Sequence, residues 1–306
     1  MQNFTSISDT SYVDLRHALD VAVKLKVEFK SSRRNAALLA GKVLAMIFEK
    51  PSLRTRVSFS VAIHHLGGQS LMLRNEEVGL GIREPVQDIA RVLSGMCDGI
   101  IARTFEHAKI LTLARYATVP VINALTDYSH PCQAMADLMT IQEHFGSLKG
   151  RTIAFIGDSN NVSRSLAIAC GRFGMRYVLA CPGSYALGRD EIDRIMTQVP
   201  DMEFLTPADP REAVREADVL YTDTWISMGQ ESERSKRLKD FAGFCIDDHL
   251  LAAAPPQAIV MHCLPAYRGL EISESVLEGP RALIFQQAEN RLHFQKGLLA
   301  VMMGGQ

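Results

Sequence analysis

Apolar runs of four to six residues recur along this chain from Val43 onward, each followed by a longer amphipathic segment. That alternation predicts βα units and parallel sheets, because a parallel strand needs a crossover of helical length before its neighbour can begin. The predicted strands of the first half are Val43–Phe48, Ser70–Leu73, Gly99–Ala102 and Val119–Ile122. Those of the second half are Thr152–Ile156, Tyr177–Ala180, Met202–Leu205, Val219–Thr222 and Ala258–Met261. The rhythm breaks at Gly146-Ser147-Leu148-Lys149-Gly150, after the amphipathic segment Cys132–Phe145. A chain of 306 residues is long enough for two cores. The break therefore reads as a boundary between an α/β domain over residues 1–146 and a second over 147–287.

Charge and composition narrow the partners. Apolar residues make up 47% and charged residues 22%, the balance of a globular protein, and a net charge of −1 gives no electrostatic reason to expect nucleic acid or an acidic membrane. The six cysteines are scattered, without a Cys-x-x-Cys pair or the spacing of a zinc site, so the expectation is a reduced chain with no metal. The first residues lack a basic region followed by an apolar core, and no apolar stretch is long enough to span a membrane. A cytoplasmic protein is expected.

A local anion site is nonetheless written into Phe48-Glu49-Lys50-Pro51-Ser52-Leu53-Arg54-Thr55-Arg56-Val57-Ser58-Phe59. Ser52 is a helix N-cap by type, which puts Arg54 and Arg56 near the first turn, where free amides and the macrodipole are already positive. A bound phosphate would turn that conflict into attraction through the amides, the Ser52 and Thr55 hydroxyls and a guanidinium fork. The plainer reading is a capped helix with solvated arginines. His130-Pro131-Cys132-Gln133 sets Pro131 in a first helical turn and leaves His130 and Gln133 at the helix mouth. Arg103 and His262-Cys263-Leu264-Pro265 each follow a predicted strand. The turn Gly157-Asp158-Ser159-Asn160-Asn161-Val162 suggests a dinucleotide site but lacks the Gly-x-Gly-x-x-Gly spacing. The run Glu231–Arg237 reads as a solvated loop or helix face.

Together these motifs resemble the aspartate/ornithine carbamoyltransferase family over nearly the whole chain. Ser52-Leu53-Arg54-Thr55-Arg56 is similar to its carbamoyl phosphate signature, and His130-Pro131-Cys132-Gln133 to its His-Pro-x-Gln motif. Asp223 with Ser227-Met228-Gly229, and His262-Cys263-Leu264-Pro265, resemble the ornithine branch. The resemblance implies two parallel-sheet α/β domains joined by helices, with a C-terminal helix of about 288–306 packing back on the first. It also implies a homotrimer or a multiple of trimers, no cofactor, and carbamoyl transfer to the δ-amine of L-ornithine in arginine metabolism. On this resemblance Ser52, Leu53, Arg54, Thr55, Arg103, His130, Gln133 and Arg291 hold carbamoyl phosphate, with Cys263 and Leu264 where the two ligands meet. Asn161, Asp223, Ser227 and Met228 hold ornithine, and Arg103, His130 and Cys263 are the catalytic candidates.

Two departures from the family pattern stand out. Leu53 replaces a usual Thr, which suits a backbone role, and Gly79 stands where many ornithine enzymes carry a Gln that reaches a neighbouring subunit. Cys263 is left with two roles, relaying the amine proton with Asp223 or shaping the pocket. Two alternatives remain open at this point: a putrescine carbamoyltransferase, and an oxidoreductase using a nicotinamide at the Gly157–Val162 turn.

Overall fold

A computed structural model of the chain describes residues 1–227 and 229–304. Contacts divide it into two units, Met1–Met139 together with the segment from Glu289, and Thr140–Ala288. Both boundaries fall inside helices, Pro131–Phe145 and Ile284–Met303.

The first unit holds a parallel sheet of β1 (Val43–Phe48), β2 (Gln69–Arg74), β3 (Gly99–Arg103) and β4 (Val121–Leu125), in the order β2-β1-β3-β4. Its central strands are buried on both faces: on one, Ala45, Ile47, Ile100, Ala102 and Val121 pack with Ile89, Ala90, Ile110 and Leu113, and on the other Leu44, Met46, Ile101 and Ile122 are equally buried. The chain leaves β1 toward β2 and then crosses to β3 on the other side. The carboxyl ends of β1 and β3 therefore form a topological switch point, where the connecting loops diverge and leave room for a ligand.

The second unit repeats the plan with β5 (Thr152–Ile156), β6 (Arg176–Ala180), β7 (Phe204–Leu205), β8 (Val219–Thr222) and β9 (Ile259–His262). The order is β7-β6-β5-β8-β9, all pairs parallel, with the switch point between β5 and β8. Ala154, Ile156, Val178, Leu220 and Val260 pack with Val214, Leu250 and Val276 in its core.

Every predicted strand is present, and the differences in extent have local causes. The fourth strand begins at Val121 rather than Val119, since Pro120 has no N–H and contributes only its carbonyl, which accepts from Ile100 N at 2.9 Å. It then runs on through Asn123, a fully buried polar residue whose Nδ2 donates to Thr5 O at 2.8 Å. β7 shrinks to two residues because Met202 is held in a turn, its N–H donating to Val199 O at 3.0 Å. Among the described residues, no helix is long and apolar enough to cross a membrane.

Within the first unit, the helices Tyr12–Ser32 and Ile284–Met303 approach each other at Gly297, where an added Cβ would lie 2.6 Å from the backbone of Ala22. Gly297→Ala should gain about 1 kcal/mol of helix propensity. Overpacking of this kind costs typically 1–3 kcal/mol, and backbone cannot rotate away as a side chain can. The expected outcome is net destabilisation, read as a lower urea midpoint at unchanged slope. An unchanged or raised midpoint would show that the helices separate freely.

Candidate functional site

The residues of the first unit converge on the switch point between β1 and β3. Ser52, in extended conformation after β1, caps the helix Leu53–His65: its Oγ accepts from Thr55 N at 3.3 Å. The N–H groups of Leu53 and Arg54 in that first turn precede the first intrahelical acceptor and are available to a ligand. Leu53 is 76% exposed, so its side chain contributes no wall to a pocket and only its backbone can serve a ligand. Arg54 is partly buried and Arg56 exposed.

Thr55 is fully buried and its hydroxyl is the hub of this half. Arg103 Nη1 donates to Thr55 Oγ1 at 3.4 Å, and Arg291 Nη2, from the helix Ile284–Met303, donates to the same oxygen at 2.7 Å. The register shifts beside Arg103: Ala102 pairs with Asn123 but Arg103 with Leu125, so that Ala124 of β4 is the extra residue of a bulge opposite the end of β3. Glu49 then fastens the following loop. Its N–H donates to Arg103 O at 2.9 Å, its Oε2 accepts from Phe105 N at 3.0 Å, and its Oε1 pairs with Lys109 Nζ at 2.6 Å.

His130 precedes the helix Pro131–Phe145, with Pro131 as its first residue. Gln133, 1% exposed, donates from Nε2 to Asp137 Oδ1 at 2.8 Å. That bond to a carboxylate fixes the amide orientation and leaves Oε1 as an acceptor, buried and without a partner among the described residues. Asp137 was not among the sequence candidates, although its (i, i+4) spacing from Gln133 is the signal that could have found it.

The positive field is legible in the neighbours. His130 is held well below the ordinary histidine value by burial first, then by the Arg291 and Arg103 charges. Lys50 is lowered by burial and then by Arg103, and its Nζ sits 4.0 Å over the Phe105 ring. Two groups on different segments thus report the same cationic centre.

In the second unit, Asp223 follows β8 and is buried. Its Oδ1 accepts from Cys263 Sγ at 2.9 Å and from Thr224 N at 2.8 Å, and its Oδ2 accepts from Asn160 Nδ2 at 2.7 Å. Asn160 also caps the helix Asn161–Arg172, its Oδ1 accepting from Val162 N and Ser163 N. The sequence candidate Asn161 is the first helical residue beside it, partly buried, and Asn160 is a positioning group that the sequence reading did not single out. Ser227 is partly buried, with its N–H donating to Gln230 Oε1 at 3.0 Å. Met228 lies outside the described residues. Leu264 adopts φ +59°, a left-handed conformation costly for a branched residue, and its N–H donates to His262 Nδ1 at 2.8 Å.

Two readings of this half need correction or restriction. The charged run Glu231–Arg237 is exposed over its first six residues, but Arg237 is only 5% exposed, paired with Asp158 and Glu233. The Gly157–Val162 turn presents the Asp158 carboxylate and has its helix amides at 162 and 163 taken by Asn160, the opposite of a pyrophosphate cradle. Asp223, His262 and Cys263 bring one ligand-type atom each within 4.8 Å of one another. Both His262 nitrogens are engaged outside the trio, Nδ1 by Leu264 N and Nε2 by the buried Glu271 at 3.1 Å, while Cys263 donates to Asp223, so each of the three already has a hydrogen-bond partner.

Two family profiles match successive parts of the chain, the second running on into the C-terminal segment that packs with the first unit. The profile of the aspartate/ornithine carbamoyltransferase carbamoyl-P binding domain matches residues 2–143, and that of the Asp/Orn binding domain matches 149–302. An ornithine carbamoyltransferase of Pelobacter propionicus is 47% identical over 305 residues, covering 100% of this chain and 99% of the relative. The solved ornithine carbamoyltransferase of Pyrococcus furiosus superposes with a TM-score of 0.95 at 44% identity, covering 100% of this chain and 98% of that one. The anabolic ornithine carbamoyltransferase of Campylobacter jejuni gives 0.90 at 39%, with 99% of each covered.

His130 is expected to stay a neutral imidazole well below pH 6.5, the usual histidine range. Because its folded value is depressed, its contribution to stability is full above the unfolded value and is lost as pH falls toward the folded one. Imidazole NMR shifts across a pH titration check this, and a midpoint at or above the ordinary value would contradict the cationic field.

Proposed function

The chain belongs to the aspartate/ornithine carbamoyltransferase family, and on that premise we propose that it transfers the carbamoyl group of carbamoyl phosphate to the δ-amine of L-ornithine, giving L-citrulline and phosphate. What carries this reading is the Thr55 hydroxyl shared by the Arg103 and Arg291 guanidiniums at a helix N-terminus, a built receptor for a dianion. The matched Asp/Orn binding domain supports an amino-acid acceptor on the second unit.

The donor phosphate is held by the Ser52 and Thr55 hydroxyls, the first-turn amides at Leu53 and Arg54, and the Arg54 and Arg291 guanidiniums. Its carbamoyl oxygen is met by Arg103 and His130, and its amide N–H by Gln133 Oε1. As the amine attacks, a C–N bond forms and negative charge gathers on that oxygen. Arg103 and neutral His130 are preorganised donors that gain strength as this charge develops. The C–O bond to phosphate then breaks, the departing phosphate takes the surplus proton of the attacking nitrogen, and Arg54 with the helix amides holds the anion.

The acceptor must be a free amine, whereas an alkylammonium has a reference pKa of about 10.4. Nearby guanidiniums favour the neutral form of the attacking nitrogen, so one proton is released per turnover. Asp223 takes the α-ammonium, and Asn161, Ser227 and Met228 take the remaining polar groups of the amino-acid end. Cys263 and Leu264 complete the contacts near the carbamoyl group. A site built to bind an α-ammonium and carboxylate rejects putrescine, which lacks the carboxylate.

Self-association belongs to the same reading. Leu53, Val57 and Leu71 are exposed on the helix Leu53–His65 and the edge strand β2, which are joined by a 3.2 Å hydrogen bond between Ser60 and Ser70. Exposed apolar groups beside an open strand edge favour burial against another copy.

A citrulline assay run with ornithine and putrescine in parallel tests the reaction, with turnover expected for ornithine; turnover of putrescine alone would reverse the assignment. Asp223→Asn should raise the KM for ornithine by roughly 30- to 150-fold, the loss expected for a charged hydrogen bond of about 2–3 kcal/mol. It should leave the affinity for carbamoyl phosphate nearly unchanged, and equal losses for both ligands would remove Asp223 from the acceptor site. Sedimentation equilibrium should give a trimer or a multiple of trimers, against which a stable monomer would count.

A further inference from the structure

We propose that Arg237 is a positioning residue for acceptor binding: it neutralises Asp158 and pins the loop from Asp223 to Glu233, leaving Asp223 as the one carboxylate there held by neutral donors alone. The inference rests on the acceptor role given to Asp223 above.

Two carboxylates stand at the switch point of the second sheet, Asp158 after β5 and Asp223 after β8. They are near enough for the Asp223 charge to raise Asp158, although burial is the main cause of that rise. Two buried like charges oppose each other unless one is paired. Arg237 supplies the pairing through Nη1, 2.8 Å from Asp158 Oδ2. Asp223 is bonded instead to an amide, a thiol and a backbone N–H, none of them charged. An α-ammonium arriving at this end of the sheet therefore meets one carboxylate whose charge is not already matched.

The same guanidinium holds the loop at both ends. Nη1 also donates to Trp225 O at 3.0 Å, two residues beyond Asp223, and Nε donates to Glu233 Oε2 at 2.8 Å. Its face lies 4.7 Å from the Tyr185 ring centre, and Trp225 stacks on Phe241 at 5.4 Å. Three directed contacts from one planar fork are what Arg provides and Lys does not. Ser227 lies within the span so held, and a loop fixed at both ends presents it to a ligand with less entropy to lose.

The groups facing Asp158 are Arg237 and Glu233 from the helix Arg234–Asp240 and its leading turn, Asp223 from the end of β8, and Cys181 after β6. Burial pushes the Cys181 thiol up to about 12, so it stays protonated near neutral pH. Removing Arg237 thus leaves Asp158 as the group free to titrate against Asp223.

The test compares wild type with Arg237→Gln, Arg237→Lys and Arg237→Gln combined with Asp158→Asn, each checked for an intact thermal transition. Arg237→Gln is expected to raise the KM for ornithine roughly ten- to hundredfold, the cost of a small misplacement of a binding group. The dissociation constant for carbamoyl phosphate should stay within about twofold, well under the tenfold step that 1.4 kcal/mol produces. Arg237→Gln should also change the pH profile of the ornithine KM from that of wild type, because Asp158, raised by burial, then titrates without its guanidinium partner. Adding Asp158→Asn should return the profile to the wild-type shape and restore part of the affinity, while Arg237→Lys should fall between wild type and Arg237→Gln. Equal weakening of both substrates, or no rescue by Asp158→Asn, would overturn the proposal and leave Arg237 a structural residue. Amide exchange of residues 224–231 gives a readout independent of the reaction: faster exchange in Arg237→Gln supports the pinning even if wild type forms no citrulline, and unchanged exchange refutes it.

Discussion

Holding two guanidiniums on one hydroxyl is the constraint from which the first unit follows. Arg103 and Arg291 both donate to Thr55 Oγ1. At a separation of roughly 5–6 Å and an effective dielectric near 20, their repulsion is on the order of 3 kcal/mol. A structure that tolerates this must fix both side chains by other means. Arg103 is set by its place at the end of β3, where its carbonyl accepts from Glu49 N, while Arg291 rides on a long helix. The repulsion becomes useful when a dianion arrives, because the cost of gathering the cations has already been met in folding. The depressed His130 is a consequence of the same field, and it is the neutral form of the ring that can donate a hydrogen bond without opposing the arginines.

The second unit solves the converse problem with the same topology. Its switch point gathers carboxylates where the first gathers cations, since in each sheet the strand ends that diverge are the ones whose following residues can turn toward one spot. A cationic ligand needs a negative group, but two buried negative groups side by side destabilise each other. Cancelling one and leaving the other to neutral donors yields a single sharply placed charge. The N-cap Asn160 links these tasks, ordering the helix Asn161–Arg172 with its oxygen and Asp223 with its nitrogen.

What could be read from the sequence is what is decided locally. The strands are apolar runs, Ser52 caps by type, and Pro131 opens its helix as its fixed φ favours. The misplaced start of β4 and the buried Asn123 within it show the limit, since a polar residue satisfied by a carbonyl 118 positions away carries no local mark. The same holds for Thr55 and Arg291, 236 positions apart, and for Asp158 and Arg237, 79 apart. Arg237 was hidden a second way, inside a charged run whose other members are exposed, where only the three-dimensional partner distinguishes a buried guanidinium from its solvated neighbours. Motif resemblance supplied Arg291 as a candidate, and the hydroxyl it shares with Arg103 supplies the physical reason.

The contact between Cys263 and Asp223 bears on how the proposed transfer proceeds. A cysteine nucleophile works as a thiolate, and thiolates are favoured beside cations or helix N-termini. Here the sulfur lies 2.9 Å from a carboxylate and donates its proton to it, so ionising the thiol would put two negative charges in contact. A carbamoyl-cysteine intermediate would also require Asp223 to release its donor at the moment it is needed for the acceptor's ammonium. On the proposed function, direct attack by the amine requires neither change: Cys263 keeps its proton and orients Asp223 jointly with Asn160. In that reading the thiol belongs to the acceptor's scaffold and is not the nucleophile.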